Sequence, residues 1–451
     1  MHELTGKYWQ IGEGNVIERE IRFKSFIVQK FLLIGYAYPP ISSPGAVRGT
    51  RMIKYLNNLN YQGSVLTVDK GYSLRIGGLE DPLKNNPERV FRIGDPVAQV
   101  NASIINHQER SAKFKKIKQN IKALLKSSLF PDRSILWAIK SRRGPAKKTA
   151  NYNLIYSTSP TASTHIVAYG LSRKMKLPWI AEFRDPLSWL DNRNPASRLR
   201  RWALKKFEQW VVKNATAVVV VSETFKEYFD SLYPNANIVA IPNGAEFDVE
   251  NLKKVIKNRD SRERKLNKPI RLVHTGAFYG GARPPGPVIQ ACKRAMEKSD
   301  IKFEFYCAGN DVHLAIDAAD KLGCPDIVRD MGVLPHDETL ELLSSADANV
   351  SLLLDEELAR ISIPSKFLDY LPAAAPILNL GGDDYVLSQI IQNQGAGASF
   401  EYNDIEGIAE WLIKLPEMNP PDSMELCQNW SAEKMAERMA LLFDSILTPM
   451  R

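Results

Sequence analysis

Cysteine is scarce in this chain. Its 451 residues include only four cysteines, Cys292, Cys307, Cys324 and Cys427, and their spacing matches neither a zinc motif nor a paired framework. Small secreted domains that depend on disulfides carry many more cysteines, and structural zinc sites need closely spaced ligands. The composition therefore excludes a disulfide scaffold and indicates a reducing compartment such as the cytoplasm.

Long apolar runs are also missing. The longest near the N-terminus, FIVQKFLLIGYAY, is interrupted by Lys30. It is shorter than the roughly 20 residues that a membrane-spanning helix needs. The mixed polar residues before it do not match a secretory signal peptide. We expect a soluble cytoplasmic protein in which this run is a buried strand.

Acidic residues are nearly absent from one basic segment. Residues 110–148 hold thirteen Lys or Arg against one acid, Asp132, so this segment carries +12 although the whole chain carries only +9. Its apolar and basic side chains would lie on opposite faces of a helix: Phe114, Ile117, Ile121, Leu124 and Leu125 against Lys115, Lys118, Lys122 and Lys126. This pattern is typical of a helix resting on an anionic membrane, although a domain-packing helix with a solvated lysine face fits as well. No recognised nucleic-acid motif is present, so nucleic-acid binding is disfavoured.

Strand-like and helix-like patterns alternate twice along the chain. The strand-like runs are FIVQKFLLIGYAY, SVLTVDK, NLIYSTSP, PWIAEFRDP and ATAVVVVSE, then IRLVHTGAF, IKFEFYCAG, ADANVSLLL and APILNLGG. Such alternation predicts parallel sheets covered by helices on both faces, so we expect two doubly wound Rossmann-like α/β domains. We divide the chain into an N-terminal extension (1–24), a first domain (25–248), a second domain (249–425) and a final amphipathic helix (426–451).

One candidate ligand loop is HTGAFYGGAR. In doubly wound sheets, ligands bind beyond the carboxyl ends of the strands, where this loop falls. Gly276, Gly280 and Gly281 permit close approach of the backbone to a ligand, and Arg283 can hold a phosphate in a forked geometry. The nucleotide motifs G-x-x-x-x-G-K-[ST] and G-x-G-x-x-G are absent. A flexible turn with a solvated arginine is the alternative.

A second candidate is ISIPSKFLDYLPAAAPILNL, residues 361–380. Proline is favoured at the first helical position, so Pro364 predicts a helix start. Lys366 and Asp369 then lie about one turn apart. The helix N-terminus and the lysine suit a phosphate, and the carboxylate suits a ribose diol. The alternative is a local ion pair on a packed helix.

A third candidate is EFRDP, which follows a strand directly. Asp185, held by Pro186, fits a helix cap or a turn residue as well as a functional one. Arg184 has no such structural role in the pattern.

Four stretches also occur in a familiar order: YPPISSPGAVRGTRMIKYLNNL, LIYSTSPTASTHIVAYGLSRKMKLPWIAEFRDPLSWL, VVVVSETFKEYF with VAIPNGAEFD, and SIPSKFLDYLPAAAPILNL. Together they resemble bacterial GT-B glycosyltransferases of family 4, in the branch with an FRDPW-like element, from about Phe31 to the C-terminus. The resemblance implies two Rossmann-like domains facing a central cleft, with the last helix crossing back to the first domain. It also implies retaining transfer of a sugar from a nucleotide-sugar, with no metal or other cofactor.

The resemblance assigns roles to residues of both domains. The first domain would supply Gly45 and Arg48 near the acceptor or donor phosphates, and Arg184 and Asp185 as catalytic residues facing the cleft from the acceptor side. The second domain would bind the donor through these residues: Gly276 and Gly281 in the glycine-rich loop, Arg283 and Lys366 on the diphosphate, and Asp369 on the ribose hydroxyls.

Our leading hypothesis is a glycosyltransferase that builds a cell-surface polysaccharide, such as lipopolysaccharide or capsule, on a lipid-linked acceptor. Segment 110–148 would then hold the enzyme at the inner face of the cytoplasmic membrane. The first alternative is a nucleotide-sugar 2-epimerase on the same fold, which needs no membrane surface. The second is a degenerate protein that binds a nucleotide-sugar or a partner without turnover.

Two positions depart from the family pattern. The family has two glutamates separated by seven residues, where this chain has Ile361 and Asp369. The tryptophan of FRDPW is replaced by Leu187, with Trp189 nearby. Without the first glutamate, a direct acid contact to the transferred sugar is in question, whereas the phosphate and ribose contacts remain.

Overall fold

The computed structural model describes most of the chain. The described residues are 28–41, 43–69, 79–97, 129–142, 151–189, 198–260, 268–354 and 357–448. The predicted extension, residues 1–24, lies outside them, as does most of the basic segment 110–148. Their predicted roles therefore stay predictions.

The first domain is built on a parallel sheet. Its described strands are β1 (Gln29–Ile34), β2 (Tyr61–Val68), β3 (Val90–Ile93), β4 (Leu154–Thr158), β5 (Trp179–Phe183), β6 (Ala217–Val220) and β7 (Ile238–Ala240). They pair in the order β3-β2-β1-β4-β5-β6-β7, and every pairing is parallel. Its described helices are α1 (Pro44–Asn57), α2 (Ile135–Ser141), α3 (Ser163–Met175), α4 (Arg198–Asn214) and α5 (Glu223–Leu232).

The second domain repeats this plan. Its described strands are β8 (Ile270–Thr275), β9 (Phe303–Ala308), β10 (Val328–Gly332), β11 (Ala348–Leu352), β12 (Ile377–Leu380) and β13 (Gly397–Phe400). They pair in parallel in the order β10-β9-β8-β11-β12-β13. Helix α6 (Val249–Asp260) precedes the sheet, and the helices within it are α7 (Gly286–Lys298), α8 (His313–Lys321), α9 (His336–Ser345), α10 (Glu357–Ile361), α11 (Lys366–Tyr370), α12 (Val386–Asn393) and α13 (Ile405–Lys414). The predicted pair of doubly wound domains is confirmed.

The strands predicted from apolar runs are present, and the reason is burial on both faces. The residues of β6, Ala-Val-Val-Val, are all buried, as expected for a central parallel strand. Strands β3, β7, β10 and β13 have no counterpart among the predicted runs. They lie at the sheet edges. Three of the five residues of β10 are exposed, so its sequence lacks the apolar run of a buried strand.

Helix α1 begins as its sequence suggests but ends earlier than predicted. The side chain of Ser43 caps it by accepting a hydrogen bond from the Ala46 amide. A glycine after an amphipathic pattern predicts a helix end, so the sequence places the stop at Gly63, but the helix ends at Asn57 and Gly63 lies inside β2. A Cβ atom at Gly63 would approach the Ile53 side chain to 2.3 Å, so glycine is needed there for helix-to-sheet packing.

The chain ends in two further helices, α14 (Ser423–Asn429) and α15 (Ala432–Leu447). Helix α14 packs on the second domain, but α15 packs against α1 and joins the core of the first domain. The ring of Phe443 in α15 lies 5.4 Å from that of Phe31 in β1. The predicted crossing back of the last helix is therefore confirmed.

The two interdomain connections run side by side. The Ala245 amide donates to the carbonyl of Trp430 (2.9 Å), and the Ala432 amide donates back to the carbonyl of Ala245 (2.8 Å). A Cβ atom at Gly244 would lie 2.4 Å from the Ser431 carbonyl oxygen, so only glycine permits this approach. These two backbone segments form the junction between the domains.

Candidate functional site

The order of the strands places the site. In the first sheet, connections reverse between β1 and β4, and in the second between β8 and β11. Open α/β sheets bind ligands at such reversal points, beyond the carboxyl ends of the strands. The loop after β8 carries Gly276 and Arg283, and the turn after β1 leads to Gly45 at the start of α1. These predicted site residues therefore lie where the fold favours ligand binding.

Lys366 lies directly over Gly276. Its ammonium nitrogen is 3.4 Å from the carbonyl oxygen of Thr275, the last residue of β8. A Cβ atom at Gly276 would lie only 3.2 Å from that nitrogen, and the residue has a φ of +123°, which favours glycine. The structure thus brings together two predicted donor-binding residues from separate segments of the chain.

The glycine-rich loop packs against the loop that follows β9. A Cβ atom at Gly309 would lie 2.3 Å from the Gly276 carbonyl oxygen, so the two backbones touch. The Gly280 amide donates to the Asp311 carboxylate at 3.2 Å. Gly281 has a φ of +94°, and nothing lies within 4 Å of its Cβ position. Its glycine is therefore required by backbone conformation, and the space beside it is open.

Two cations lie close together at this loop, and among the described residues no carboxylate forms an ion pair with them. Burial and the positive charge of Arg283 lower the pKa of Lys366 to about 7. The Arg283 guanidinium lies 4.6 Å from the centre of the Tyr279 ring, and its buried Nε has no hydrogen-bond partner among the described residues. Two adjacent cations that repel each other form a site that an anion would stabilise.

His274 lies close to Lys366 and Arg283, inside the strand that precedes the glycine-rich loop. It is fully buried, and its Nδ1 donates to the Val350 carbonyl at 2.9 Å, since a carbonyl can only accept. The hydroxyl of Tyr370 donates to the same carbonyl at 3.1 Å. Burial, together with the charges of Lys366 and Arg283, holds the pKa of His274 well below its usual value. Sequence reasoning placed His274 at the start of the loop HTGAFYGGAR and gave it no role, whereas the structure places it within β8.

The helix that carries Lys366 starts two residues later than predicted. Pro364 was expected at its first position, but α11 begins at Lys366, with Ser365 as the preceding cap residue. The Pro364 carbonyl accepts from the Phe367 amide at 3.0 Å, so the proline forms a tight turn before the helix. Lys366 therefore occupies the first helical position, beside the loop after β8.

Asp369 faces the first domain. Burial raises the pKa of its carboxyl, whereas the charges of His336 and Arg51 act to lower it. Arg51 belongs to α1 and donates to the Gly244 carbonyl at 2.7 Å. Sequence reasoning did not single out Arg51, although it follows Arg48 by one helical turn. Asp369 and Arg51 thus mark a point where the two domains approach each other.

The first domain contributes a second group of predicted site residues. It consists of Gly45 at the start of α1 and of Arg184 and Asp185 after β5. The Cβ position of Gly45 is 3.6 Å from a terminal nitrogen of Arg184, so the guanidinium lies over the start of α1. Burial lowers the pKa of Arg184 and raises that of Asp185. The buried Nε of Arg184 has no hydrogen-bond partner in the part of the chain that the structure describes. This leaves a cation and a carboxylate at the carboxyl end of β5.

Arg48 is placed differently from the prediction. Its side chain is 4% exposed and pairs at 2.5 Å with Glu182, which is 1% exposed. It also donates to the carbonyls of Ile241 and Pro242, both at 2.9 Å, and to the Asn243 side chain at 3.0 Å. These partners hold the guanidinium inside the first domain. The geometry does not support the predicted phosphate contact and indicates a structural role.

Ile361, at the position of the first family glutamate, contacts the other domain. Its side chain is 5% exposed and belongs to the hydrophobic core of the first domain. Its carbonyl oxygen accepts a 2.5 Å hydrogen bond from the Ser222 hydroxyl. The position is therefore occupied by a domain contact, which explains why an apolar residue is stable there.

Two kinds of feature are absent from the described residues. No group of three or more His, Cys, Asp or Glu side chains there is arranged to hold a metal ion. Within the same ranges, no helix combines the length and apolar character that crossing a bilayer requires.

Comparison with known proteins agrees with this architecture. Residues 47–244 match the family model described as glycosyl transferase 4-like domain. No curated protein matches the chain at the level of sequence. Among solved structures, a glycosyltransferase from Rickettsia africae is similar with a TM-score of 0.55 at 15% identity, covering 94% of this chain and 99% of that one.

Two further structures are similar over nearly their whole length. Anabaena Alr3699/HepE in complex with UDP has a TM-score of 0.55 at 11% identity, covering 92% of this chain and 100% of that one. WaaG, a glycosyltransferase involved in lipopolysaccharide biosynthesis, has a TM-score of 0.52 at 14% identity, with 92% and 99% covered. The chain therefore has the GT-B fold of these structures, and its residues 47–244 match the glycosyl transferase 4-like domain.

Proposed function

We propose that the chain is a retaining, metal-independent glycosyltransferase that moves a hexosyl group from a nucleotide-sugar to a glycan acceptor. The observation that carries this proposal is the position of Lys366 over Gly276, next to Arg283. Two cations with no carboxylate partner among the described residues lie where the fold favours a ligand. The diphosphate of a nucleotide-sugar supplies the missing negative charge.

The same cations would assist the chemical step. When the glycosyl bond breaks, the departing nucleoside diphosphate gains negative charge, which fixed cations in a partly dry site stabilise. Lys366 and Arg283 are already held in place by the carbonyl of Thr275 and the ring of Tyr279. Asp369 would hold the ribose hydroxyls. Uridine is the first base to test, since the similar Anabaena structure contains UDP.

The acceptor would enter from the side of the first domain. Arg184 and Asp185 lie at the carboxyl end of β5, next to Gly45, and would face the acceptor and the transferred sugar. We propose a lipid-linked acceptor at the cytoplasmic face of the membrane, in the synthesis of a cell-surface polysaccharide. The likeness to WaaG supports this choice, and the basic segment 110–148 suits an anionic membrane.

Nucleotide binding is the first test. Melting curves of the purified protein are measured with UDP, GDP, ADP and CMP, each at about a hundred times its dissociation constant, where stabilisation reaches about 2.7 kcal/mol. We expect one diphosphate to raise the melting temperature of the wild type but not of Lys366→Ala. Lys293→Ala is the matched control, because Lys293 also donates to a backbone carbonyl, that of Leu322 at 2.8 Å. Equal curves with and without every nucleotide would contradict the proposal.

Turnover is the second test. Release of the nucleoside diphosphate from the matching nucleotide-sugar is measured with and without a lipid-linked acceptor, and with EDTA. We expect the acceptor to raise the rate, EDTA to leave it unchanged, and the product to keep the anomeric configuration of the donor. Asp185→Asn is expected to lower the rate while the nucleotide-induced melting shift stays.

One observation favours a second candidate, a protein that binds a nucleotide-sugar without turnover. Ile361 replaces a family glutamate, and its side chain packs into the first domain rather than lining the site. Under this candidate, the diphosphate shifts the melting curve, yet no donor is consumed with any acceptor. The turnover assay separates the two functions.

A further inference from the structure

We propose that the exposed face of α4, together with the neighbouring segment 129–142, docks on an anionic lipid surface. This inference rests on the membrane-linked acceptor of the proposed function, but it assigns the contact to described residues outside the helical pattern at 113–126.

The exposed face of α4 combines large apolar side chains with cations. Leu199 is 78% exposed and Trp202 is 59% exposed. The exposed cations of this helix are Arg198, Lys205, Lys206 and Lys213. Its single acid, Glu208, is fully buried, where it accepts from the Leu187 amide and the Tyr233 hydroxyl. The exposed face therefore combines apolar, positive and neutral polar side chains, and α4 exposes no carboxylate.

Segment 129–142 extends this surface. Arg200 of α4 donates to the Leu129 and Pro131 carbonyls at 3.3 and 2.9 Å, which fixes the segment beside the helix. Exposed residues of the segment are Phe130, Leu136 and Ile139, with Arg133, Lys140 and Arg142. Five of the ten large apolar side chains that are exposed in the described residues lie on these two elements. Exposed apolar groups concentrated in this way indicate an interaction surface.

A groove opens within the surface. It has a volume of about 220 Å³ and is lined by Trp202, Lys205, Lys206, Gln209, Leu232 and Tyr233. Two lysines at its wall suit a lipid phosphate, and Trp and Tyr are the side chains that favour the boundary between headgroups and acyl chains. The groove thus offers cations for the lipid phosphate and aromatic side chains for the boundary between headgroups and acyl chains.

The surface lies beside the proposed acceptor side. The Glu208 carboxylate of α4 accepts a hydrogen bond from the amide of Leu187, which follows Asp185 by two residues. On the other element, the Asp132 carboxylate accepts from the Ser163 amide and hydroxyl, both at 2.8 Å, at the start of the helix that follows β4. Both elements are therefore fixed at the carboxyl edge of the first sheet. Docking there would present the loop of Asp185 to a lipid-linked acceptor.

The chemistry favours a bilayer over other anionic partners. Nucleic acid would be bound by cations alone or by stacked aromatics in a groove, and it gains nothing from the exposed aliphatic side chains of Leu136, Ile139 and Leu199. A bilayer uses both sets, since apolar side chains enter the acyl boundary while Lys and Arg contact anionic headgroups.

The test is sedimentation of the full chain with phosphatidylcholine vesicles, with and without an equal part of phosphatidylglycerol. We expect binding to the anionic vesicles, weakened by salt. Lys205→Ser/Lys206→Ser should lower the affinity on the order of thirtyfold, because each surface lysine contributes about fivefold. Leu199→Ser/Trp202→Ser should lower it about tenfold or more through lost apolar burial.

Matched controls lie in the second half of the chain. Lys253→Ser/Lys254→Ser removes two adjacent exposed lysines, and Ile316→Ser/Val333→Ser removes two exposed apolar side chains. Both controls should bind vesicles like the wild type, and melting curves confirm that every variant folds. Equal vesicle binding by the α4 variants and the controls would overturn the proposal. Binding of nucleic acid by the chain without any vesicle binding would overturn it as well.

The failure of this inference is distinguishable from that of the proposed function. If vesicle binding persists in the α4 variants but is lost when the lysines of 113–126 are replaced, docking belongs to that segment and the inference is wrong. A nucleotide-induced melting shift in the same variants shows that the donor site is intact. Vesicle binding without any nucleotide effect leaves the docking surface standing and overturns the donor assignment.

Discussion

The Ser222 hydroxyl donates a 2.5 Å hydrogen bond to the carbonyl oxygen of Ile361, which joins the first domain to the second. The Ser222 hydroxyl oxygen also accepts a hydrogen bond from the Phe225 amide at 3.1 Å and so caps α5. One side chain therefore both starts a helix and holds the neighbouring domain. The Ile361 side chain completes the contact from the other side by entering the first core.

The buried contact of Ile361 predicts that a glutamate at this position will not reach the transferred sugar. Ile361→Glu places an unpaired carboxylate in a site that is 5% exposed, which should lower the free energy of unfolding by about 3 kcal/mol. Ile361→Leu, the volume-matched control, should lose less than about 1.5 kcal/mol. Urea titrations measure both. A rise in donor turnover in Ile361→Glu would show instead that the position reaches the transferred sugar.

The pKa of Lys366 predicts a pH-dependent stability. Its pKa is about 7 in the folded chain and about 10.5 when unfolded. Between these values the unfolded state binds more protons, so this lysine makes stability rise with pH, and its destabilising effect is complete below pH 7. Lys366→Met should therefore stabilise the free protein by several kcal/mol at pH 6 and by less as pH rises to 10. A stability difference between Lys366→Met and the wild type that stays constant with pH would contradict the prediction.

Asp369 is predicted to recognise ribose hydroxyls. In Asp369→Asn, the affinity for UDP should fall about tenfold, because a charge-assisted hydrogen bond is weakened. Affinity for 2′,3′-dideoxy-UDP should change little, so the two nucleotides should bind the variant almost equally. Calorimetric titration of wild type and variant with both ligands measures this. A variant that still prefers UDP as strongly as the wild type does would place Asp369 away from the ribose.

Arg48 is predicted to stabilise the fold and not to bind phosphate. Arg48→Met leaves Glu182 buried without its partner, which should lower the free energy of unfolding by about 3–5 kcal/mol. The double variant Arg48→Met/Glu182→Gln should recover part of this loss, since no isolated charge remains. Urea unfolding compares the three proteins. If Arg48→Met has the stability of the wild type but a lower nucleotide affinity, Arg48 binds the ligand and the prediction is wrong.

Parts of the site were predictable because they follow strands. Gly276, Arg283, Arg184 and Asp185 were found by asking which residues come after apolar runs, and parallel strands bring such residues to one edge. His274 stands at the start of the predicted loop HTGAFYGGAR, but its burial within β8 beside Lys366 and Arg283 depends on tertiary packing and gave no sequence signal. Arg51 was not predictable either, because its approach to Asp369 depends on how two domains meet.

The sequence by itself determined the two parallel sheets and their helices, because doubly buried strands need apolar runs and the connecting helices need apolar faces. Only the tertiary structure decided which charged residues are free to act. Arg48 and Lys366 both occur in motifs that suggest phosphate binding. Arg48 meets Glu182, 134 positions away, whereas Lys366 meets Gly276 and a second cation. Burial and partners at such distances depend on packing, and no local pattern contains them.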